Sequence, residues 1–162
     1  MSIQAGDRIP QATLTTMSEK GPVPLTTAEI FEGKRVVLVS VPGAFTPTCS
    51  VRHLPGFVDL ADEILAAGVD TIAFVAVNDV FVMNAWGKSA GSEKIQMLAD
   101  GNGEFARALG LDLDATSFGM GHRSQRFALV AEDGVVEQLF VESPGEFRVS
   151  SAEHVLAAIR NG

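Results

Sequence analysis

The sequence predicts an α/β fold in which helices flank a central mixed β-sheet. Two apolar, β-branched runs, residues 36–41 and 70–77, indicate strands covered on both faces of a sheet. Between two later apolar runs, Asp133-Gly134 indicates a hairpin turn, because both residues tolerate positive φ. The chain has 162 residues, of which 46% are apolar and 20% are charged, a normal balance for a globular protein. We therefore expect a single domain over residues 1–162.

Residues 1–35 are predicted to form an N-terminal extension to this fold. Short strands at residues 13–16 and 23–25 are expected there, around a turn at Gly21-Pro22. Residues 36–41 then form the first buried strand, which Pro42-Gly43 is expected to end.

A helix over residues 47–67 follows this strand. Its apolar residues recur at spacings of three and four and so form one stripe: Val51, Leu54, Val58, Ala61, Ile64 and Leu65. Thr46 is expected to be the N-cap, with Pro47 at the first helical position, where its missing N–H costs nothing. Pro55-Gly56 is expected to kink the helix after its second turn.

The remaining elements alternate and then form a hairpin. They are predicted as a strand at 70–77, a helix at 79–90, a strand at 95–99, a short helix at 104–109, strands at 126–131 and 135–141, and a helix at 152–160. Helices between the early strands imply parallel pairing, whereas the hairpin imposes antiparallel pairing. The order β-α-β-α followed by β-β-α matches a thioredoxin fold.

The charge of the chain limits its partners. A formal net charge of -8 disfavours a surface built to bind nucleic acid or anionic membranes. The start lacks a basic segment followed by an apolar run, and the apolar stretches have the length of strands, so a cytoplasmic protein is expected. Residues 100–111 depart from a calcium loop and residues 119–121 from a nucleotide fingerprint, so no metal or cofactor is predicted.

Cys49, the only cysteine, falls in the first turn of the predicted helix. Free backbone N–H groups and the helix dipole favour an anion there and lower the pKa of a thiol. A model thiol is ~3% ionised at pH 7, so complete ionisation raises its rate by at most roughly thirtyfold, or about 2 kcal/mol. Fast chemistry at Cys49 would therefore also need donors that stabilise the charge on a leaving group.

The segment Pro42-x-x-x-Thr46-x-x-Cys49 resembles the active-site motif of the peroxiredoxin family. The wider segment 41–50, together with His53-Leu54-Pro55-Gly56-Phe57, is similar to the type-5 group of that family. The resemblance continues through residues 76–79, 85–87, 123–127 and 133–134 and so spans nearly the whole chain.

This resemblance implies a thiol peroxidase in which Cys49 attacks a small peroxide and becomes a sulfenic acid. It implies that Thr46 orients sulfur and peroxide, that Pro42 shields the intermediate from water, and that Arg126 holds thiolate and peroxide. Relatives often carry a resolving cysteine near the C-terminus, and this chain has none. An external thiol, either glutathione with a glutaredoxin or thioredoxin, is therefore expected as reductant, and a homodimer is expected.

Several alternatives remain open from the sequence. Arg126 is preferred to Arg123 on resemblance, since spacing alone does not separate them. His53 lies four residues after Cys49, which would permit a cysteine–histidine hydrolase pair. A disulfide oxidoreductase would need a second cysteine at position 52, where Arg52 stands. From a different class, the chain could be a non-catalytic thioredoxin-fold binding module with a structural cysteine.

Overall fold

A seven-stranded mixed sheet lies at the centre of the computed structural model, which describes residues 2–162 except for the side chain of Cys49. The strands are β1 (Thr13–Ser18), β2 (Gly21–Thr26), β3 (Arg35–Ser40), β4 (Thr71–Ala76), β5 (Ile95–Ala99), β6 (Asp112–Asp114), β7 (His122–Ser124), β8 (Phe127–Glu132) and β9 (Val135–Val141). Their order in the central sheet is β2-β1-β5-β4-β3-β8-β9, and β6 and β7 form a separate pair.

Helices cover both faces of this sheet. They are α1 (Thr27–Phe31), α2 (Leu54–Ala66), α3 (Val80–Ala90), α4 (Glu104–Leu109) and α5 (Ala152–Asn161), with a π-helix at Cys49–His53 and a 3-10 helix at Thr116–Phe118. Strands β3, β4 and β5 are parallel, and β3–β8 and β8–β9 are antiparallel. The predicted thioredoxin fold with a mixed sheet is confirmed.

The core is divided by the sheet because neighbouring strand residues point to opposite faces. Val37 and Val39 of β3 pack with α2, α3 and α5 on one face. Val36 and Leu38 pack with α1 and α4 on the other. Strand β3 is therefore covered on both sides, as its continuous apolar run predicted.

The N-terminal hairpin differs from the prediction in where it turns. Ser18 pairs with Gly21, so the turn is at residues 19–20 and Gly21-Pro22 belongs to β2. Proline is tolerated there because β2 is an edge strand, where a missing N–H breaks no ladder hydrogen bond. Helix α1 was not predicted, although Thr26 and Glu29 form a capping box whose spacing is visible in the sequence.

The long helix after β3 is confirmed, but its first part is wider than an α-helix. Residues 47–48 are helical, and the π-helix leads directly into α2. The predicted position of the kink, Pro55-Gly56, is therefore wrong, because the irregular part of the helix is the π-helix, about one turn earlier. Pro55 then lies in the first turn of α2, where a missing N–H is harmless.

The π-helix also shifts the buried face of the helix. It takes more residues per turn than an α-helix, so side chains on either side of it change their phase. Val51, which was predicted to lie in the apolar stripe, is 72% exposed, while His53 is fully buried. Phe57 takes a core position, and Val58 is only half-buried.

Candidate active site

The site lies where β3 ends and β8 begins. These strands are antiparallel, with Ser40 opposite Phe127, so the residues after Ser40 and before Phe127 meet at one edge of the sheet. Pro42 and Arg126 consequently line one cavity of about 320 Å³. The sequence separates these two residues widely, and the sheet brings them together.

The loop between β3 and the helix is held in one shape by hydrogen bonds. The Thr46 hydroxyl donates to the carbonyl oxygen of Gly43 at 2.7 Å. The Ala44 N–H donates to Oδ1 of Asn78, beyond the end of β4, at 2.9 Å. Phe45 adopts a φ of 64°, a left-handed conformation that is uncommon for a residue other than glycine. Thr46 thus begins the helix at the end of a constrained loop.

Thr46 occupies the predicted N-cap position. It directly precedes the first helical residue, and its carbonyl oxygen accepts from the Ser50 N–H at 2.9 Å. The backbone of Cys49 lies in the first helical turn and opens the π-helix. The side chain of Cys49 lies outside the described residues, so its proposed role rests on this backbone placement and on the side chains around it.

Arg126 is bound to His53 by a short hydrogen bond. Its Nη1 lies 2.7 Å from His53 Nδ1, and an arginine can only donate, so Nδ1 is the acceptor. His53 Nε2 lies 2.8 Å from the carbonyl oxygen of Ser150, which can only accept, so Nε2 carries the proton. His53 is therefore a neutral imidazole that links Arg126 to the chain before α5.

The surroundings of His53 keep it neutral. Burial, followed by the positive charge of Arg126, lowers the pKa of His53 to about 3, although the Ser150 carbonyl and Glu142 act in the opposite direction. The rings of three phenylalanines surround the imidazole, with centroid distances between 4.8 and 5.8 Å: Phe57, Phe74 and Phe147. His53 with both nitrogens engaged is poorly suited to be the base of a cysteine–histidine pair.

Arg123 lies nearby, but its guanidinium binds backbone carbonyl oxygens. Its Nε donates to the carbonyl oxygen of Met120 at 2.8 Å, and its Nη1 donates to that of Val77 at 3.1 Å. Arg123 thus ties the loop before β7 to the end of β4. This difference in partners separates the two arginines, which their spacing in the sequence alone did not.

The chain matches the family model described as Redoxin over residues 4–156. Peroxiredoxin-2B of Arabidopsis thaliana is 47% identical, and the alignment covers 97% of this chain and 98% of that protein. The crystal structure of reduced Prx3 from Vibrio vulnificus in complex with H2O2 has a TM-score of 0.94 and 53% identity, covering 97% and 99% of the two chains. The chain belongs to the peroxiredoxin family. Peroxiredoxin 5 from Alvinella pompejana, with a TM-score of 0.85 and 35% identity over 99% of both chains, agrees with the predicted type-5 group.

This peroxiredoxin is a thiol-dependent peroxidase, as its relatives are, so the alternative of a non-catalytic binding module is wrong. Among the side chains that the structure describes, no group of three or more His, Cys, Asp or Glu residues could hold a metal ion. None of the helices within residues 2–162 is both long and apolar enough to cross a membrane.

The sequence did not predict every contact at the site of this peroxiredoxin. The contact between His53 and Arg126 was not foreseen, because a histidine in a helix gives no sign of which strand end it faces. Trp86 is almost fully buried beside the site, and its Nε1 donates to the Ser50 hydroxyl at 2.9 Å. It therefore packs in the core of the chain.

The low pKa of His53 predicts a pH dependence of stability in this peroxiredoxin. The unfolded chain binds a proton on His53 below about pH 6.5, whereas the folded chain does so only near pH 3. The free energy of unfolding should therefore fall as the pH drops through this window, by about 1.4 kcal/mol per unit, or ~2 kcal/mol at pH 5. Urea unfolding of wild type and His53→Asn at pH 7 and pH 5 measures it. The variant should lack this part of the loss, and an equal loss in both proteins would contradict the prediction.

Proposed function

We propose that Cys49 is the thiol that reduces peroxide, with Thr46, Pro42 and Arg126 as the other catalytic groups. The observation that carries this proposal is the position of Arg126, whose guanidinium is held by His53, itself only four residues after Cys49. Arg126 and Pro42 line the cavity together with Thr48, the residue before Cys49. A peroxide in this cavity would lie close both to the permanent positive charge of Arg126 and to the first turn of the helix that carries Cys49.

The helix start and Arg126 both favour the thiolate of Cys49. Backbone N–H groups of the first turn have no partner within the helix and attract an anion. The Arg126 charge adds to this attraction and lowers the pKa of a nearby thiol. The thiolate then exists at neutral pH without a proton acceptor, which agrees with the absence of a basic role for His53.

In the proposed reaction the Cys49 sulfur attacks one oxygen of the peroxide. An S–O bond forms and the O–O bond breaks, so the sulfur is oxidised to a sulfenic acid and the second oxygen leaves as alkoxide or hydroxide, which takes up a proton. Arg126 offers several donors in one plane and can stabilise the leaving oxygen as its charge grows. The Thr46 hydroxyl, which donates a hydrogen bond to the carbonyl oxygen of Gly43, can accept a hydrogen bond from the peroxide.

The cavity supports organic hydroperoxides as substrates beside hydrogen peroxide. Its volume of about 320 Å³ is several times that of hydrogen peroxide, and Pro42, Leu113 and Pro144 give it apolar walls. We expect Leu113→Asn to lower the rate with cumene hydroperoxide by roughly tenfold, because an apolar contact in the transition state is lost. The rate with hydrogen peroxide is the internal control and should stay unchanged. Equal losses with both substrates would contradict the assignment of this cavity.

Regeneration of Cys49 requires an external thiol, because the chain has one cysteine. We propose glutathione with a glutaredoxin, or alternatively thioredoxin. A glutathione thiolate attacks the sulfenic sulfur and expels water, which gives a mixed disulfide that a second thiol reduces.

The test of this step is mass spectrometry after one equivalent of hydrogen peroxide. We expect a sulfenic acid that dimedone traps and that glutathione converts into a mixed disulfide. Without a reductant, repeated peroxide should convert Cys49 to sulfinic acid and end activity. Formation of a Cys49–Cys49 dimer faster than the reaction with glutathione would instead make resolution intersubunit.

Exposed apolar side chains support a homodimer. Phe81 and Phe118 are 64% and 81% exposed, and Phe45 and Val51 are exposed as well. Phe45 follows β3 and Phe81 follows β4, two neighbouring parallel strands, so both lie at the same edge of the sheet. Exposed apolar patches of this kind mark interaction surfaces. Sedimentation velocity should show a dimer, and Phe81→Glu should shift it towards monomer.

A further inference from the structure

The segment of residues 142–150, which we call the strap, joins β9 to α5. One carboxylate oxygen at its start, Oε2 of Glu142, binds residues at its end. This oxygen accepts hydrogen bonds from Arg148 N at 2.8 Å, Ser150 N at 2.8 Å and Ser150 Oγ at 2.7 Å. Glu142 is only 7% exposed, so the carboxylate is nearly enclosed by the segment that it binds.

The strap contacts Arg126 from two directions. The backbone N–H of Glu142 donates to the carbonyl oxygen of Arg126 at 3.0 Å, which fixes the backbone of Arg126. The carbonyl oxygen of Ser150 accepts from His53 Nε2, and His53 Nδ1 accepts from Arg126 Nη1. Hydrogen bonds made by Ser150 and His53 therefore link the Glu142 carboxylate to the guanidinium of Arg126.

Building upon the proposed role of Arg126, we propose that Glu142 is a positioning residue for Arg126. Its carboxylate holds the Ser150 carbonyl at the place where that oxygen orients the His53 ring, and the ring holds one guanidinium nitrogen. The remaining donors of Arg126 are then directed at the thiolate and the peroxide. Glu142 borders the same cavity, and its proposed action on Arg126 runs through Ser150 and His53.

The charge of Glu142 is part of this arrangement. Burial alone would raise the pKa of Glu142, but hydrogen bonds from Ser150, Arg148 and Val149 outweigh it and the pKa is lowered. The carboxylate therefore stays ionised at neutral pH. An ionised carboxylate also accepts stronger hydrogen bonds than a neutral group, so it holds Ser150, whose carbonyl oxygen binds His53, more firmly in place.

Phe147 of the strap packs on the His53 ring. Its ring lies edge-on to the imidazole with a centroid distance of 4.8 Å, and the guanidinium of Arg52 covers it at 4.7 Å. The strap thus packs against the His53 ring that holds Arg126. If the strap were released from Glu142, the His53 ring would be free to rotate away from Arg126.

The test is a double-mutant cycle with Glu142→Gln and Arg126→Ala, measured as the rate of oxidation of reduced protein by hydrogen peroxide in a single turnover. Glu142→Gln keeps the shape of the side chain and removes its charge. We expect it to lower the rate by ~10-fold or more, as a misplaced catalytic group does. In the Arg126→Ala background it should cause no further fall, because the group that it positions is already gone. The midpoint of Cys49 alkylation against pH should also rise in Glu142→Gln.

Glu137→Gln is the matched control, since Glu137 lies on β9 and its carboxylate binds Arg35 at 3.2 Å, away from the strap. It should leave the rate unchanged. If Glu142→Gln does not fold, Ser150→Ala, which removes one of the three hydrogen bonds to Glu142, is used in the same cycle. The positioning role would be overturned if Glu142→Gln lowered the rate by the same factor in both backgrounds. It would also be overturned if Glu142→Gln lowered the melting temperature but left the rate unchanged. A rate in Arg126→Ala equal to that of wild type would instead overturn the role proposed for Arg126, and the positioning role with it.

Discussion

Replacing Cys49 with serine is expected to abolish peroxide reduction, with a loss of at least ~1000-fold in turnover. A serine hydroxyl has nearly the shape of the thiol but is not ionised at neutral pH, and an un-ionised hydroxyl is a poor nucleophile. The chain has no other cysteine, so no second thiol can take over the reaction. Consumption of hydrogen peroxide in the presence of dithiothreitol, corrected for the reaction without protein, measures this loss.

The circular dichroism spectrum and melting temperature of Cys49→Ser serve as controls for folding. Both should be close to those of wild type, because the substitution changes one atom in a helix start where serine is well tolerated. Sustained peroxide turnover by the folded variant would place the chemistry elsewhere in the molecule.

Arg126→Ala is expected to have the second largest effect, a loss of roughly 100-fold or more in the rate with peroxide. This is the size of effect found when one preorganised donor to the transition state is removed. Arg126→Lys should recover only part of the rate, because an ammonium group cannot contact thiolate, peroxide and His53 with donors in one plane. Single-turnover oxidation by hydrogen peroxide measures both variants.

Arg123→Ala is the matched control for this prediction. Arg123 binds the carbonyl oxygens of Met120 and Val77, so its removal should loosen a loop and cost less in rate than the removal of Arg126. Equal or reversed losses in two folded variants would show that the wrong arginine was chosen.

The sheet and its connections could be predicted because they depend on local patterns. Continuous apolar runs marked β3 and β4, and Asp133-Gly134 marked the β8–β9 hairpin, where Asp133 and Gly134 do adopt positive φ. The order of these elements placed Cys49 at a helix start after a buried strand. That much of the site follows from short-range physical chemistry.

The rest depends on contacts between distant segments, which local patterns do not contain. The π-helix at Cys49–His53 changes which side chains face the core, and periodicity counted at 3.6 residues per turn therefore placed Val51 inside. The strap has no regular pattern of its own, so neither Glu142 nor Ser150 could be assigned to the site from sequence. Resemblance indicated Arg126, and only the antiparallel pairing of β3 and β8 explains why it lies near Pro42.

We propose that Cys49 is an activated peroxidatic thiol, and the rate of its oxidation by hydrogen peroxide is the sharpest test. Trp86 contacts Ser50, the residue after Cys49, so its fluorescence should report the reaction when reduced protein is mixed with one equivalent of hydrogen peroxide in a stopped-flow instrument. Ionisation contributes at most roughly thirtyfold over free cysteine. Donors such as Arg126 contribute a further ~100-fold or more. We therefore predict a second-order rate constant at least ~1000-fold above that of free cysteine at pH 7, and a rate constant close to that of free cysteine would contradict the claim.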